Sequence, residues 1–149
     1  MLLKDICTVD VVCCGAQTRV VEAARLMRER HVGDLVVVDD VEAGRSPLGV
    51  VTDRDLTVEV LGKGLDPGTT VVSAIMHKPV VVANESEDRT QVLERMRAHG
   101  VRRVPIVDKH GAVVGIITLD DLLRLVIADA SSLLQVMDRG QSRERHSRR

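Results

Sequence analysis

Two short stretches of the chain carry a threonine and an aspartate at the same spacing. The first, GVVTDRDL, contains Thr52 and Asp55, and the second, GIITLDDL, contains Thr118 and Asp121. In each stretch two aliphatic residues lead into the threonine, a pattern typical of a strand that ends where a helix begins. The threonine is then the N-cap of that helix, and the aspartate lies three residues later in its first turn.

This spacing is compatible with two kinds of chemistry. In a capping box, the hydroxyl accepts a hydrogen bond from the amide of the acidic residue, whose carboxylate reaches back to the threonine amide. Aspartate is one methylene shorter than the usual glutamate, which weakens this purely structural interpretation. Alternatively, the free amides and positive potential of the helix start bind a phosphate, while the carboxylate accepts hydrogen bonds from two ribose hydroxyls. The residues alone leave both interpretations open.

The two stretches recur because most of the chain recurs. A shift of 69 residues aligns Met27 with Met96 and Val38 with Val107. Each copy contains a β-branched run, an amphipathic segment, two apolar runs and a second amphipathic segment, which predicts the order β-α-β-β-α. One such unit leaves a face of its sheet uncovered. We therefore predict an α/β fold in which two β-α-β-β-α repeats pack sheet to sheet with pseudo-twofold symmetry.

The repeat divides the chain into four expected segments. Residues 1–62 form the first unit and residues 63–72, which include KGLDPGTT, form a linker with little structure of its own. Residues 73–128 form the second unit, and residues 129–149 form a C-terminal helix followed by a basic tail.

The C-terminal segment contains an apolar stripe and then a run of arginines. Leu133, Leu134 and Met137 are spaced as one helical face, which we expect to pack either on the two units or on a second copy of the chain. From Gly140 onward there are four arginines and one glutamate, and we expect a frayed, solvated end. Contact with nucleic acid is the weaker alternative, because no element that reads bases accompanies the arginines.

Composition narrows the class of partner. The formal net charge is −1, which gives no general attraction to nucleic acid or to anionic lipid. No apolar run approaches the length of a membrane span, and the first residues lack the apolar region of a signal peptide. We therefore expect a cytoplasmic protein with no membrane partner. Phe, Tyr and Trp are all absent, so the core must be aliphatic and only aliphatic side chains or arginine can grip a bound ring.

Metal binding and catalysis find little support in the sequence. Cys7, Cys13 and Cys14 are most simply interpreted as small buried hydrophobes, and no CxxC or HxxxH spacing favours a metal site instead. No pair of nucleophile and base is evident, and the five histidines show no helical pairing. We therefore expect neither an enzyme nor a catalytic cofactor.

The repeated motifs resemble a tandem pair of CBS domains, also called a Bateman module. The resemblance covers roughly residues 3–127 and includes HVGDLVVVD and GVRRVPIVD besides the two threonine stretches. It implies two clefts between the repeats that bind adenosine compounds such as AMP, ADP, ATP, NAD or S-adenosylmethionine. It also implies a regulatory module that forms a homodimer and acts on an unidentified partner protein in trans.

The resemblance assigns roles in the cleft of the second stretch, here called the second cleft. Asp121 would hold the ribose hydroxyls, Thr118 would face the phosphate, and Ile116 would lie against the adenine. Arg103 occupies a position where the family often has a basic residue. The opposite wall of this cleft would come from the first unit, through Val12, Val32 and Gly33.

The first cleft mirrors the second, with one difference in charge. The resemblance places six residues there: Val50, Thr52 and Asp55, and across from them Val81, Val101 and Arg102. The counterpart of Arg103 is Asp34, which would repel a phosphate unless Arg102 or Arg54 compensates. The first cleft is therefore expected to be empty or to take a less anionic compound. A module with vestigial clefts, which serves only for dimerisation or interaction, remains the alternative.

Overall fold

The computed structural model describes residues 1–147 and contains two three-stranded sheets, one for each repeat. The first repeat contains α1 (Leu3–Ile6), β1 (Cys13–Gly15), α2 (Val20–Arg30), β2 (Asp34–Val38), β3 (Pro47–Thr52) and α3 (Asp53–Asp55), which widens into a π-helical segment, Leu56–Leu61. The second contains a short 3-10 turn (Val72–Ala74), β4 (Ala83–Asn84), α4 (Arg89–His99), β5 (Arg103–Val107), β6 (Val113–Thr118) and α5 (Leu119–Ser147).

The two sheets have the same topology. In each, the first strand runs parallel to the second, and the second pairs antiparallel with the third. This confirms the predicted β-α-β-β-α order. The strand register is also the same in the two sheets. Asp34 lies opposite Thr52 in the first sheet, and the equivalent Arg103 lies opposite Thr118 in the second.

The first strand of each sheet is shorter than the β-branched runs suggested. We expected strands over DVVCC and PVVVA, but β1 begins only at Cys13 and β4 only at Ala83. Val11, just before β1, packs between the two sheets and does not extend the pairing of β1 with β2. High β-propensity here reflects burial rather than strand pairing.

Three apolar clusters hold the fold together. Each repeat has its own core between sheet and helices, centred on residues such as Leu35 in the first and Ile106 in the second. A third cluster lies between the sheets and contains residues of both repeats: Val36, Val38, Val113 and Ile116. This cluster confirms the predicted sheet-to-sheet packing.

The segment that precedes each repeat packs on the other repeat. Leu3 of α1 is fully buried in the core of the second repeat, and its amide donates a hydrogen bond to the carbonyl of Glu87. Val72 is likewise buried in the core of the first repeat, and the amide of Ser73 donates to the carbonyl of Ala16. The core of each repeat therefore includes a residue from the segment that precedes the other repeat in the same chain.

The C-terminal residues form one helix with the end of the second repeat. α5 continues without a break from Leu119 to Ser147, so it runs through the expected boundary at residue 129 and through Gly140. The frayed end expected from Gly140 is therefore helical up to Ser147, and residues 148–149 lie outside the described part. The apolar stripe does not pack on the two repeats, since Leu133 and Met137 are 67% and 59% exposed. Within residues 1–147, no helix is both long and apolar enough to span a membrane.

Candidate functional site

Both threonine stretches form complete capping boxes. In the first, the amide of Asp55 donates to Thr52 Oγ1 at 3.2 Å, and the amide of Thr52 donates to Asp55 Oδ2 at 2.8 Å. In the second, the corresponding distances between Thr118 and Asp121 are 3.2 and 2.9 Å. Aspartate therefore completes the capping box at both sites, although its side chain is one methylene shorter than that of the usual glutamate.

The two boxes differ in what the threonine hydroxyl does. Thr118 Oγ1 also donates to Asp121 Oδ2 at 2.8 Å, so both hydrogen bonds that this carboxylate accepts go to one oxygen. Among the described residues Asp121 Oδ1 has no hydrogen-bond partner, and Asp121 itself is half-buried. A carboxylate oxygen held in place with free acceptor capacity can bind hydroxyl groups of a ligand.

At the first box the corresponding oxygen is already bound. His77 Nε2 lies 2.8 Å from Asp55 Oδ1, while Asp55 Oδ2 serves the cap. The Asp55 residue is only 7% exposed, whereas the His77 side chain is 70% exposed. The backbone of His77 is fixed beside β3, because its amide donates to the carbonyl of Val50 at 2.9 Å. The histidine therefore covers Asp55 from the solvent side.

The second box has a threonine at the position equivalent to His77. Thr8 makes the same backbone pairing with Ile116, and the two amide–carbonyl distances are both 2.9 Å. Its side chain is too short to reach Asp121 as the imidazole reaches Asp55, and no hydrogen bond joins them among the described residues. The two sites thus share this backbone pairing and differ in the side chain that it places beside the aspartate.

Arg103 and Asp34, expected to act in separate clefts, form an ion pair. Arg103 Nε lies 3.0 Å from Asp34 Oδ2, and both side chains are largely shielded from solvent. Within the described residues Arg103 Nε has no hydrogen-bond partner, so the contact is electrostatic. The two residues, expected to act in separate clefts, therefore lie at one place, and the expected contrast in phosphate binding between the clefts stays a prediction. The pair lies at the starts of β2 and β5, where the two repeats meet.

The surroundings of Asp34 are acidic. Burial raises the pKa of the Asp34 carboxyl above its ordinary value of 3.8, and the neighbouring carboxylates of Asp53 and Asp121 add to the rise. The Arg103 guanidinium opposes it. Asp53 is the first residue of α3 and Asp121 lies in the first turn of α5, so the starts of the two helices converge on this one ion pair.

The glycine at the head of each stretch is required by a crossing backbone. A Cβ on Gly49 would lie 2.8 Å from the carbonyl oxygen of His77, and a Cβ on Gly115 would lie 3.2 Å from that of Thr8. The structure shows that the approaching group is the segment that carries His77 or Thr8.

Several other expected site residues lie in the cores. Val12 and Val32 pack against the core of the first repeat, while Val81 and Val101 pack against that of the second. The remaining two apolar residues of the expected clefts are nearly buried, with exposures of 8% for Ile116 and 9% for Val50.

Gly33 and Arg102 each accept a backbone hydrogen bond at the helix start of their own repeat. The carbonyl of Gly33 accepts a hydrogen bond from the amide of Asp53, which follows Thr52. The carbonyl of Arg102 accepts one from the amide of Leu119, and its guanidinium lies 4.0 Å from Asp120. Each residue therefore supports the helix start of its own repeat.

Two grooves are found elsewhere, on the helical surface. One of 660 Å³ lies beside α4 and is lined by residues such as Leu93, and one of 400 Å³ lies beside α2 and is lined by residues such as Ala24. Both residues are exposed. None of the residues that form the capping boxes lines either groove.

The cysteines have a packing role. Burial raises the pKa of the Cys14 thiol to about 11, and Cys7 lies against Gly115. Within residues 1–147, no cluster of three His, Cys, Asp or Glu side chains could hold a metal ion.

Sequence reasoning missed His77 and the pairing of Asp34 with Arg103. The pairing had a signal, because the two residues are equivalent under the 69-residue shift and carry opposite charges at strand starts that a pseudo-twofold axis brings together. His77 had no comparable signal, since its partner Asp55 belongs to the other repeat.

Comparison with known proteins identifies the repeats. A family model for the CBS domain matches residues 3–62 and again residues 72–128. The chain is 34% identical over 116 residues to the uncharacterized protein MK0525 of Methanopyrus kandleri, covering 78% of this chain and 58% of that one. It is 32% identical over 121 residues to hypoxic response protein 1 of Mycobacterium tuberculosis, covering 81% of this chain and 82% of the relative.

Solved structures agree. The crystal structure of hypoxic response protein 1 with two coordinated zinc ions matches with a TM-score of 0.72 and 32% identity, covering 83% of this chain and 98% of that one. The CBS domain pair of protein MJ0100, in complex with 5′-methylthioadenosine and S-adenosyl-L-methionine, matches with a TM-score of 0.75 and 26% identity, covering 87% and 98%.

Proposed function

Because this chain belongs to the CBS-domain family and carries two copies of the domain, we propose that it is a regulatory module that binds an adenosine compound. The candidate ligands are AMP, ADP, ATP, NAD and S-adenosylmethionine. The signal passes to a partner protein in trans. The similar CBS pair of MJ0100 was crystallised with two adenosine compounds, which supports this ligand class.

The proposal depends mainly on Asp121 Oδ1, a carboxylate oxygen that has no hydrogen-bond partner among the described residues. The residue is fixed at a helix start by its cap, and its Oδ1 remains available to accept hydrogen bonds from the 2′- and 3′-hydroxyls of a ribose. Thr118 stands beside it at the positive end of α5, where a phosphate or another anionic group is favoured. The hydroxyl of Thr118 must then turn from Asp121 towards the ligand.

The ion pair between Arg103 and Asp34 shapes the choice of ligand. Arg103 is already neutralised by Asp34, so a phosphate must share the guanidinium with a carboxylate. This arrangement favours adenosine compounds of low negative charge over triphosphates. It is the reason to include the uncharged 5′-methylthioadenosine among the test ligands.

The missing aromatic residues give a direct test. Without Phe, Tyr or Trp the protein contributes little absorbance near 260 nm, so a bound adenine dominates the spectrum. Equilibrium dialysis against each candidate ligand, followed at 260 nm, should show binding at micromolar to millimolar concentrations. Asp121→Ala should lower the affinity by about a hundredfold, because two hydrogen bonds to a charged group are lost. Binding of 2′,3′-dideoxyadenosine compounds to the wild type should be equally poor.

The alternative is an interaction module in which both boxes only cap helices. Its support is that both boxes are closed and that Arg103 is already paired. If Asp121→Ala lowers the melting temperature and leaves ligand affinity unchanged, or if no adenosine compound binds, this alternative is correct.

We also propose that the module is a homodimer. Apolar residues of α5 remain uncovered, including Leu123, Val126 and Ile127, which are 55–57% exposed. Association through a twofold axis is the commonest way to cover such a face. Light scattering at micromolar concentration should give twice the mass of 16.3 kDa, and a monomer mass would contradict the proposal.

A further inference from the structure

The two boxes offer unequal access to their carboxylates. At the second, one oxygen of Asp121 is free, whereas at the first both oxygens of Asp55 are used, one by the cap and one by His77. A ligand that needs the carboxylate of Asp55 must first displace the imidazole. The open face of the second box meets no such competitor, because Thr8 stands where His77 would be.

We propose that His77 is a latch that closes the first ribose site and thereby decides which of the two sites binds ligand. The proposal rests on the adenosine-binding function proposed above and adds a specificity-determining residue to it. It differs from the charge argument drawn from the sequence, because Asp34 and Arg103 are shared between the sites and cannot distinguish them.

The geometry supports a latch that can move. The backbone of His77 is anchored to β3 by hydrogen bonds to Val50 in both directions, so the imidazole starts from a fixed point within reach of Asp55. Its side chain is nevertheless 70% exposed and can rotate into solvent without breaking a packed core. His77 therefore competes with the ligand for one oxygen atom and does not block the site as a buried wall would.

The competition has a predictable size. The contact that must be replaced is a hydrogen bond to a carboxylate, and such bonds correspond to roughly a tenfold to hundredfold change in a binding constant. The first site should therefore bind an adenosine compound at least tenfold more weakly than the second, even though the two boxes have the same backbone.

The chain provides its own matched variants, since each side chain can be replaced by its equivalent. His77→Thr copies Thr8 into the first site, and Thr8→His copies the latch into the second. Both positions are exposed, so the variants should fold, which a circular dichroism melt verifies. The probe is 5′-methylthioadenosine, which carries no phosphate and so minimises the influence of Arg103 and Asp34.

Calorimetry of the full chain distinguishes the outcomes. For the wild type we expect one stronger site per chain and a second that is at least tenfold weaker. His77→Thr should tighten the weaker site at least tenfold, and Thr8→His should weaken the stronger one by a similar factor. In an Asp121→Ala background, His77→Thr should restore one measurable site, which assigns the gain to the first box.

Two results would overturn the latch. If the wild type binds and His77→Thr leaves both affinities unchanged or weakens the first site, His77 is not a competitor, and the proposed function stands without it. If neither the wild type nor His77→Thr binds any adenosine compound, the proposed function and the latch fail together.

Discussion

The two threonine–aspartate boxes show how similar local sequences give unequal sites. Thr52 with Asp55 and Thr118 with Asp121 form the same pair of reciprocal hydrogen bonds, at distances that agree within 0.1 Å. They differ in the segment that crosses over the preceding glycine, which presents His77 to the first box and Thr8 to the second.

The origin of this difference is the exchange of segments between the repeats. Residues before each repeat pack on the other one, so the surroundings of a box are set by the other half of the chain. A substitution in the crossing segment can therefore alter one site without touching the motif that defines it. Symmetry of the motif does not guarantee symmetry of the site.

The largest effects are expected at Gly49 and Gly115, where the segments that carry His77 and Thr8 cross the two strands at different distances. Gly49→Ala places a methyl group 2.8 Å from the carbonyl oxygen of His77, a backbone atom that cannot move freely. Gly115→Ala meets the carbonyl of Thr8 at 3.2 Å, and its closest contact is the Cys7 sulfur at 2.5 Å, which a side-chain rotation relieves.

We expect Gly49→Ala to lower the free energy of unfolding by about 1–3 kcal/mol, and Gly115→Ala by less. Urea denaturation of both variants checks the order. Equal losses would mean that the two crossings are equally tight and that the backbone contact at the first is not special.

The second prediction compares the two aspartates. Both Asp55→Ala and Asp121→Ala remove a cap, which costs about 0.5–2 kcal/mol of stability. Asp55→Ala also removes the partner of His77 and empties a position that is only 7% exposed, so its loss should be the greater.

The same pair of variants should behave in the opposite way in ligand binding. Asp121→Ala should have the larger effect on affinity, because the first site is latched. Thermal melts and dialysis on the same preparations measure the loss of stability and the loss of ligand affinity. If one variant shows the larger loss in both measurements, the comparison is wrong.

The third prediction concerns the charge that the two sites share. Arg103→Ala should weaken AMP by about tenfold and leave 5′-methylthioadenosine nearly unchanged, because only AMP carries a phosphate. The double variant Arg103→Ala with Asp34→Asn should recover part of the AMP affinity, since it also removes the repelling carboxylate. Calorimetry with both ligands tests this, and equal losses for the two ligands would show that Arg103 acts through the fold and not on the phosphate.

The smallest expected effect is a pH dependence from Asp34. Its pKa is raised in the folded state above the ordinary value of 3.8, so the folded protein binds this proton more tightly than the unfolded chain does. The resulting stabilisation is fully present below the unfolded pKa and is lost as the pH rises through the raised pKa.

Asp34→Asn cannot titrate and should lack this loss. The difference in free energy of unfolding, wild type minus variant, should therefore decrease as the pH rises from about 4 towards neutrality. Urea titrations at several pH values measure it. A difference that increases with pH would mean that attraction to Arg103, not burial, controls the carboxyl.

Much of the fold could be predicted from the sequence because its signals are local. The repeat and the element order both follow from periodicity, and the structure confirms them. The capping boxes were also foreseeable, since threonine and aspartate at this spacing interact within one helical turn.

What could not be predicted depends on contacts between distant parts of the chain. The covering of Asp55 by His77 requires knowing that residues 72–77 pack on the first repeat, and no local pattern encodes this exchange. The continuation of α5 was missed for a different reason. A glycine and a run of arginines suggested an end, but neither residue type prevents a helix from continuing.

Because α5 is long, a small movement at the second site would displace the far end of the helix by several ångströms. The helix begins at the residue after Thr118 and continues for 29 residues, which at 1.5 Å per residue is about 43 Å. A rotation of about 5° at the capped end would move the far end by about 4 Å over this length. A small adjustment around Asp121 would thus become a displacement large enough for a neighbouring molecule to detect, at a point far from where the ligand is held.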